Sequence, residues 1–151
     1  MGAFTDSIVV ELFPGEPYPY GIHRGFEFHS GRADSGLFVR CKAGFRYDGT
    51  SIPWALRWLI SPNDPELLQC AAIHDKIYRT GTMIIRVGEK EQEVPVHRDV
   101  ANAMMAEAMK ALKVTRWKQS VINFGLAVGS GPAWRKTAKK RASSIRTDTT
   151  Q

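Results

Sequence analysis

The residues best suited to chemistry are His74 and Asp75, which stand side by side in an apolar segment, 71–78. Removing an imidazole or a carboxylate from water costs free energy unless the group finds hydrogen-bond partners. Tyr78 follows His74 by about one helical turn. These polar groups therefore form either a network inside a core or a reaction site. In the second case His74 acts as a base and Asp75 reaches a cation.

A helix is predicted from Pro65 to about Arg79, because polar capping residues precede Pro65 and Gly81 follows. On this helix His74 falls on the apolar stripe and is expected to point inward. Asp75 lies about 100° around the helix, at the rim of that face. Its spacing from Arg79 also fits a simple surface ion pair, which would contribute little.

A second helix is predicted over residues 97–113, and Asn102 shares one of its faces with Met105 and Met109. A short predicted hairpin joins the two helices, so we expect them to pack antiparallel. A hydrogen bond between Asn102 and His74 would satisfy both groups and fix the imidazole tautomer. The alternative is a polar pair that only sets the helix register.

The remaining elements predict an α+β fold, with a small N-terminal antiparallel sheet packed against a C-terminal bundle of three to four helices. β-Branched and aromatic residues between Pro and Gly clusters predict the strands, and a last helix is expected to end at a Gly-Ser-Gly-Pro segment. The predicted strands are 7–13, 26–29, 37–41, 83–87 and 92–96, and the last helix is about 115–128.

The loop that precedes the His74 helix contains the turn dipeptide Asp48-Gly49. Ser51 is a plausible N-cap, and Pro53 suits a first helical turn. The helix predicted next, residues 54–60, is apolar on nearly every face. It is either fully buried or in contact with a partner.

Length and charge predict one globular domain, residues 1–134, followed by a basic and flexible tail, 135–151. The tail carries six basic residues and one acidic residue, so it accounts for +5 of the net charge of +6. Such a tail suits nucleic acid, an anionic membrane or another acidic partner, or it is a solvated terminus that aids solubility. No signal peptide or transmembrane segment is predicted. Two cysteines are too few for a disulfide framework and favour a reducing compartment.

Three stretches resemble a phage-associated family, the domain of unknown function 1353. They are the loop 47–53, the helix segment 71–78 and the segment 98–109, in this order, and the resemblance covers roughly residues 25–132. It implies a phage or prophage origin, with the protein in the host cytoplasm or the virion and in contact with virion or host proteins. It implies no activity.

The motif His74-Asp75-x-x-Tyr78 is also similar to the active-site helix of secreted-type and parvoviral phospholipases A2. That resemblance implies that His74 activates water, that Tyr78 supports the network and that Asp75 binds Ca²⁺ together with the Asp48-Gly49 loop. The orienting position, where an aspartate is expected, is Asn102. An amide holds the ring but contributes no charge.

Two functions follow as expectations. The first is a phage hydrolase of esters, including phospholipids, with Ca²⁺ as cofactor and a site weakened by Asn102. The second is a non-catalytic virion or assembly protein, such as a tail or connector component. In that protein His74, Asp75, Tyr78 and Asn102 would form a structural network.

Overall fold

The computed structural model describes residues 1–49, 60, 61 and 63–148, with side chains up to residue 142. Within that part of the chain are eight strands and three helices. The strands are β1 (Ala3–Phe4), β2 (Val10–Leu12), β3 (Tyr20–Ile22), β4 (Phe26–His29), β5 (Leu37–Cys41), β6 (Arg46–Tyr47), β7 (Thr82–Val87) and β8 (Lys90–Pro95). The helices are α1 (Pro65–Thr80), α2 (Arg98–Ala111) and α3 (Arg116–Asp148).

The strands form two antiparallel sheets, which confirms the predicted α+β fold. The larger sheet has the order β1-β4-β5-β7-β8, and the smaller one has the order β2-β3-β6. The hairpin between α1 and α2 is therefore part of the larger sheet, because β7 pairs with β5. Strands β4 and β5 have the predicted bounds. Strand β2 is shorter than predicted, with only residues 10–12 in the ladder.

Helix α1 is defined at both ends by its sequence. The Asp64 side chain accepts hydrogen bonds from the backbone N–H groups of Glu66 and Leu67, which have no partner inside the helix. Gly81 ends the helix in a left-handed conformation, with φ of 68°, that glycine adopts without a Cβ penalty. These caps confirm the predicted bounds of the helix that carries His74.

The core lies between the larger sheet and the helices. Phe28 and Val39 of the sheet, Ile73 of α1 and Met109 of α2 belong to one buried apolar cluster. Burial of these side chains holds α1 and α2 against each other. The apolar stripe of α1 therefore carries His74 to the α2 interface.

The prediction that the last helix ends near residue 128 is wrong, because α3 continues to Asp148 with Pro132 inside it. Tertiary contacts on both sides of the proline hold this segment helical, against its low propensity. Ser130 is buried and accepts a hydrogen bond from α2, and Trp134 packs edge-on against Tyr78. Arg141 donates a hydrogen bond to the Tyr78 carbonyl, so part of the basic segment also contacts α1.

Other expectations fall outside what the structure tests. The N-cap at Ser51, the first turn at Pro53 and nearly all of the predicted helix 54–60 lie outside the described residues. The division into a domain of residues 1–134 and a flexible tail stays a prediction. None of the helices described is long and apolar enough to cross a membrane.

Candidate functional site

A cavity of about 620 Å³ lies between α1, α3 and the loop that follows β6. Five of the six residues singled out in the sequence line it. They are Asp48, Gly49, His74, Asp75 and Tyr78. The long-range fold thus brings the Asp48-Gly49 loop to the helix that carries the His-Asp pair.

Asn102, the sixth residue, is hydrogen-bonded to His74 as the helix faces predicted. Its Oδ1 atom lies 3.1 Å from His74 Nε2 and also accepts a hydrogen bond of 3.2 Å from the Tyr78 hydroxyl. Its Nδ2 atom donates to Ser130 Oγ at 3.3 Å. With the amide in this orientation, Oδ1 can only accept, so His74 Nε2 carries the proton. The basic lone pair of His74 is then on Nδ1.

The Nδ1 atom of His74 lies on the side of the ring toward Asp75, 4.0 Å from Asp75 Oδ1. His74 as a whole is 9% exposed, and it borders the cavity. Its ring packs on that of Tyr78, with the ring centres 4.2 Å apart. Burial raises the pKa of Tyr78, which keeps its hydroxyl protonated as a donor to Asn102. The imidazole is therefore held in one orientation beside the cavity.

Asp48 and Asp75 form a pair of carboxyl groups at the cavity wall. Loss of surrounding water, followed by a hydrogen bond and charge repulsion from Asp75, raises the pKa of Asp48 from 3.8 to about 7. Asp48 remains exposed over part of its surface, which gives a proton or a cation access to the pair. Two adjacent carboxylates are stable only when they share a proton or a cation.

This carboxyl pair predicts how stability depends on pH when divalent cations are chelated. The folded state holds the Asp48 proton more tightly than the unfolded state does. Its contribution to stability is therefore complete below about pH 4 and is lost as the pH rises toward about 7. The free energy of unfolding, measured with urea at several pH values, should show this decrease. Asp75→Asn should make this decrease smaller, because it removes the charge repulsion but not the loss of surrounding water, and Glu89→Gln, in the exposed hairpin turn, should leave it unchanged. An unchanged slope in Asp75→Asn would contradict the pairing.

The alternative prediction of an Asp75–Arg79 surface ion pair is wrong for the side chains described. Arg79 instead donates a hydrogen bond of 2.5 Å to the carbonyl of Arg46 and stacks on the ring of Tyr18 at 4.1 Å. The aromatic contact and the carbonyl draw the guanidinium away from its i−4 neighbour. Asp75 is thereby left to face the cavity and Asp48.

Sequence reasoning missed the contribution of α3. Ser130 completes the hydrogen bonds of Asn102, Trp134 packs on Tyr78, and Lys136 lines the cavity. All three lie at or beyond the Gly-Ser-Gly-Pro segment, whose composition predicts a helix end. The signal that remained in the sequence was Trp134, a large aromatic residue inside an otherwise basic segment.

The cavity wall presents two carboxyl groups, the kind of ligand that hard cations prefer, beside an oriented imidazole. The described residues include no cluster of three or more His, Cys, Asp and Glu side chains with metal-binding geometry. The cation site would therefore combine the Asp48 and Asp75 carboxylates with neutral oxygen ligands or water, as Ca²⁺ sites do. An oriented imidazole next to such a cation has the composition of a hydrolytic site.

One comparison with known proteins gives a match. A family described as "Protein of unknown function (DUF1353)" matches residues 22–126, a range that includes Asp48, His74, Asp75 and Asn102. No curated protein and no solved structure matches the chain.

Proposed function

We propose that this chain, which belongs to the DUF1353 family, is a Ca²⁺-dependent ester hydrolase in which His74 activates water. One observation carries the proposal: the hydrogen bond to Asn102 directs the basic Nδ1 atom of His74 toward the carboxyl pair at the cavity. A buried histidine with only a structural role does not require a cavity of this size on that side.

Each polar residue of the site has a separate role in the proposed reaction. His74 Nδ1 accepts a proton from a water molecule as that water attacks the ester carbonyl, and it later returns the proton to the leaving alcohol. Asn102 and Tyr78 keep the ring in place throughout. Asp48 and Asp75 would hold Ca²⁺, which supplies positive charge for the oxyanion that develops on the carbonyl.

The similarity of the His-Asp-x-x-Tyr motif to phospholipases A2 supports a lipid ester as the substrate. The cavity adds support, because Ile122 and Leu126 of α3 give it an apolar wall suited to an acyl chain. A phage or prophage setting, in the host cytoplasm or the virion, is part of the proposal and rests on the family resemblance. Membranes and nucleic acids are the candidate partners of the basic C-terminal segment.

The test is Ca²⁺ dependence, measured in two ways on the full chain. Hydrolysis of a short-chain p-nitrophenyl ester should require Ca²⁺ and stop with EGTA. Ca²⁺ should also raise the melting temperature. At 100 times Kd, binding adds about 2.7 kcal/mol of stability, or roughly 5–10 °C for a chain of this size. Asp75→Asn and Asp48→Asn should abolish both effects.

The control is Glu89→Gln, which removes an exposed carboxylate in the turn between β7 and β8. It should keep the Ca²⁺ response of the wild type. If Ca²⁺ shifts the melting temperature of wild type and Asp75→Asn equally, the metal binds elsewhere and this part of the proposal fails.

The second candidate, a virion or assembly protein, is favoured by a different observation. The polar network joins all three described helices, through Tyr78 of α1, Asn102 of α2 and Ser130 of α3. A network of this kind can serve to fix helix register alone. Stoichiometric recovery of the protein in purified particles, together with a lack of esterase activity at any Ca²⁺ concentration, would favour this role.

A further inference from the structure

Helix α3 carries a line of large apolar side chains that the rest of the described chain leaves exposed. Trp117 is 43% exposed, Phe124 is 72% exposed and Val128 is 69% exposed. Their spacings of seven and four residues place them on one side of the helix. Large apolar residues scattered singly are ordinary on a protein surface, but three in register on one helix face indicate a contact surface.

The same side of α3 becomes basic beyond Pro132. Arg135 and Lys139 follow Val128 at seven and eleven residues, and both are exposed. We call the five residues Trp117, Phe124, Val128, Arg135 and Lys139 the α3 stripe. It joins an apolar half and a cationic half along one continuous line.

The α3 stripe borders the cavity. The residues that directly follow four of its five members line the cavity, namely Gly125, Gly129, Lys136 and Lys140. Successive residues of an α-helix are rotated by about 100° around its axis, so the stripe and these cavity-lining residues lie on adjacent sides of α3. A surface that covers the stripe therefore meets the edge of the cavity along the same helix.

We propose that the α3 stripe docks this protein on an anionic lipid bilayer. Phe124 and Val128 enter the boundary between head groups and acyl chains, Trp117 lies at the level of the head groups, and Arg135 and Lys139 contact lipid phosphates. Helices that lie in the plane of a bilayer combine these two kinds of residue.

The apolar half of the α3 stripe favours a bilayer over nucleic acid or a second copy of the chain as the partner of this surface. Nucleic acid would pair with Arg135 and Lys139 but would leave Phe124 and Val128 in water. A second copy of the chain would bring the two basic halves together in a parallel arrangement, where like charges repel, and would place the basic half of each copy against the apolar half of the other in an antiparallel one. The stripe complements a surface that is both apolar and anionic.

Sedimentation of the full chain with vesicles tests the docking. We expect binding to phosphatidylcholine vesicles that contain 30% phosphatidylglycerol, and at least tenfold weaker binding to phosphatidylcholine alone. Phe124→Asp with Val128→Asp should weaken binding to the mixed vesicles at least tenfold. Arg135→Glu with Lys139→Glu should do the same, since each basic residue near such a surface contributes about fivefold to binding.

Matched controls carry the same changes on other surfaces. Leu12→Asp with Val87→Asp replaces two exposed apolar residues in strands, and Lys42→Glu with Lys110→Glu reverses two exposed charges. Both should bind like the wild type. Equal binding by stripe and control variants would overturn the proposal. So would a dimer in gel filtration that Phe124→Asp dissociates, or stripe-dependent binding to duplex DNA without binding to vesicles.

Docking and hydrolysis are separable in this experiment. The stripe variants should hydrolyse a soluble p-nitrophenyl ester at the wild-type rate, since no member of the stripe touches His74 or the carboxyl pair. If the docking proposal is wrong, the wild type will hydrolyse the soluble ester but will not sediment with anionic vesicles. Failure of the hydrolase proposal would show as an inactive wild type that still sediments with anionic vesicles.

Discussion

Replacing His74 with alanine should lower the rate of Ca²⁺-dependent ester hydrolysis by about 10²–10⁴-fold, the usual contribution of a positioned general base. The variant should still fold, because Asn102 Oδ1 keeps its hydrogen bond from the Tyr78 hydroxyl and the side chain removed borders a cavity. Initial rates with a p-nitrophenyl ester, together with circular dichroism and a melting curve, separate the loss of chemistry from a loss of structure.

The matched control is His23→Ala, because His23 is exposed and does not line the cavity. It should retain the wild-type rate. If His74→Ala hydrolyses the ester as fast as the wild type, His74 is not the base. If the wild type is inactive as well, over lipid and soluble esters alike, the hydrolase proposal falls and the structural role of the network takes its place.

Helix α1 and the His74–Asn102 contact could be predicted from the sequence because their determinants are local. The cap at Asp64, the glycine at Gly81 and the 3.6-residue period fix where α1 begins, where it ends and which face is buried. The same period on α2 places Asn102 inward. Two inward polar groups on packed helices have few partners other than each other.

The extent of α3 and the pairing of the hairpin could not be predicted, because both depend on contacts between distant residues. The glycines and the proline near Ser130 predict a helix end, and only the contacts of Ser130 and Trp134 reverse that preference. The pairing of β7 with β5 joins residues more than forty positions apart. Periodicity identifies the hairpin but does not identify its neighbour in the sheet.

The meeting of Asp48 with Asp75 is of the same long-range kind. Nothing in the spacing of these residues requires it, and only the resemblance of the His-Asp motif to phospholipases A2 implies it. The fold places the loop after β6 beside α1, so the two carboxyl groups share one wall of the cavity.

Asn102 decides whether the network is catalytic or only structural, and replacement with leucine should have two effects. Loss of the amide leaves the buried polar groups of His74, Tyr78 and Ser130 without this partner, at a cost of about 1–3 kcal/mol in the free energy of unfolding. Without Oδ1 the ring is also no longer held with its proton on Nε2. The hydrolysis rate should therefore fall about 100-fold or more, measured where the variant is fully folded.

Asn102→Asp is the contrasting variant, because it keeps an acceptor oxygen and adds the charge that the amide lacks. A carboxylate beside His74 Nε2 would stabilise the imidazolium that forms when Nδ1 takes a proton from water, as the aspartate does in Ser-His-Asp triads. The rate should rise above that of the wild type, by about tenfold for each 1.4 kcal/mol of added stabilisation. Ser130→Ala, which removes only the partner of the amide nitrogen, should change the rate little. If Asn102→Leu loses stability but Asn102→Leu and Asn102→Asp hydrolyse at the same rate as the wild type, the network serves helix register alone.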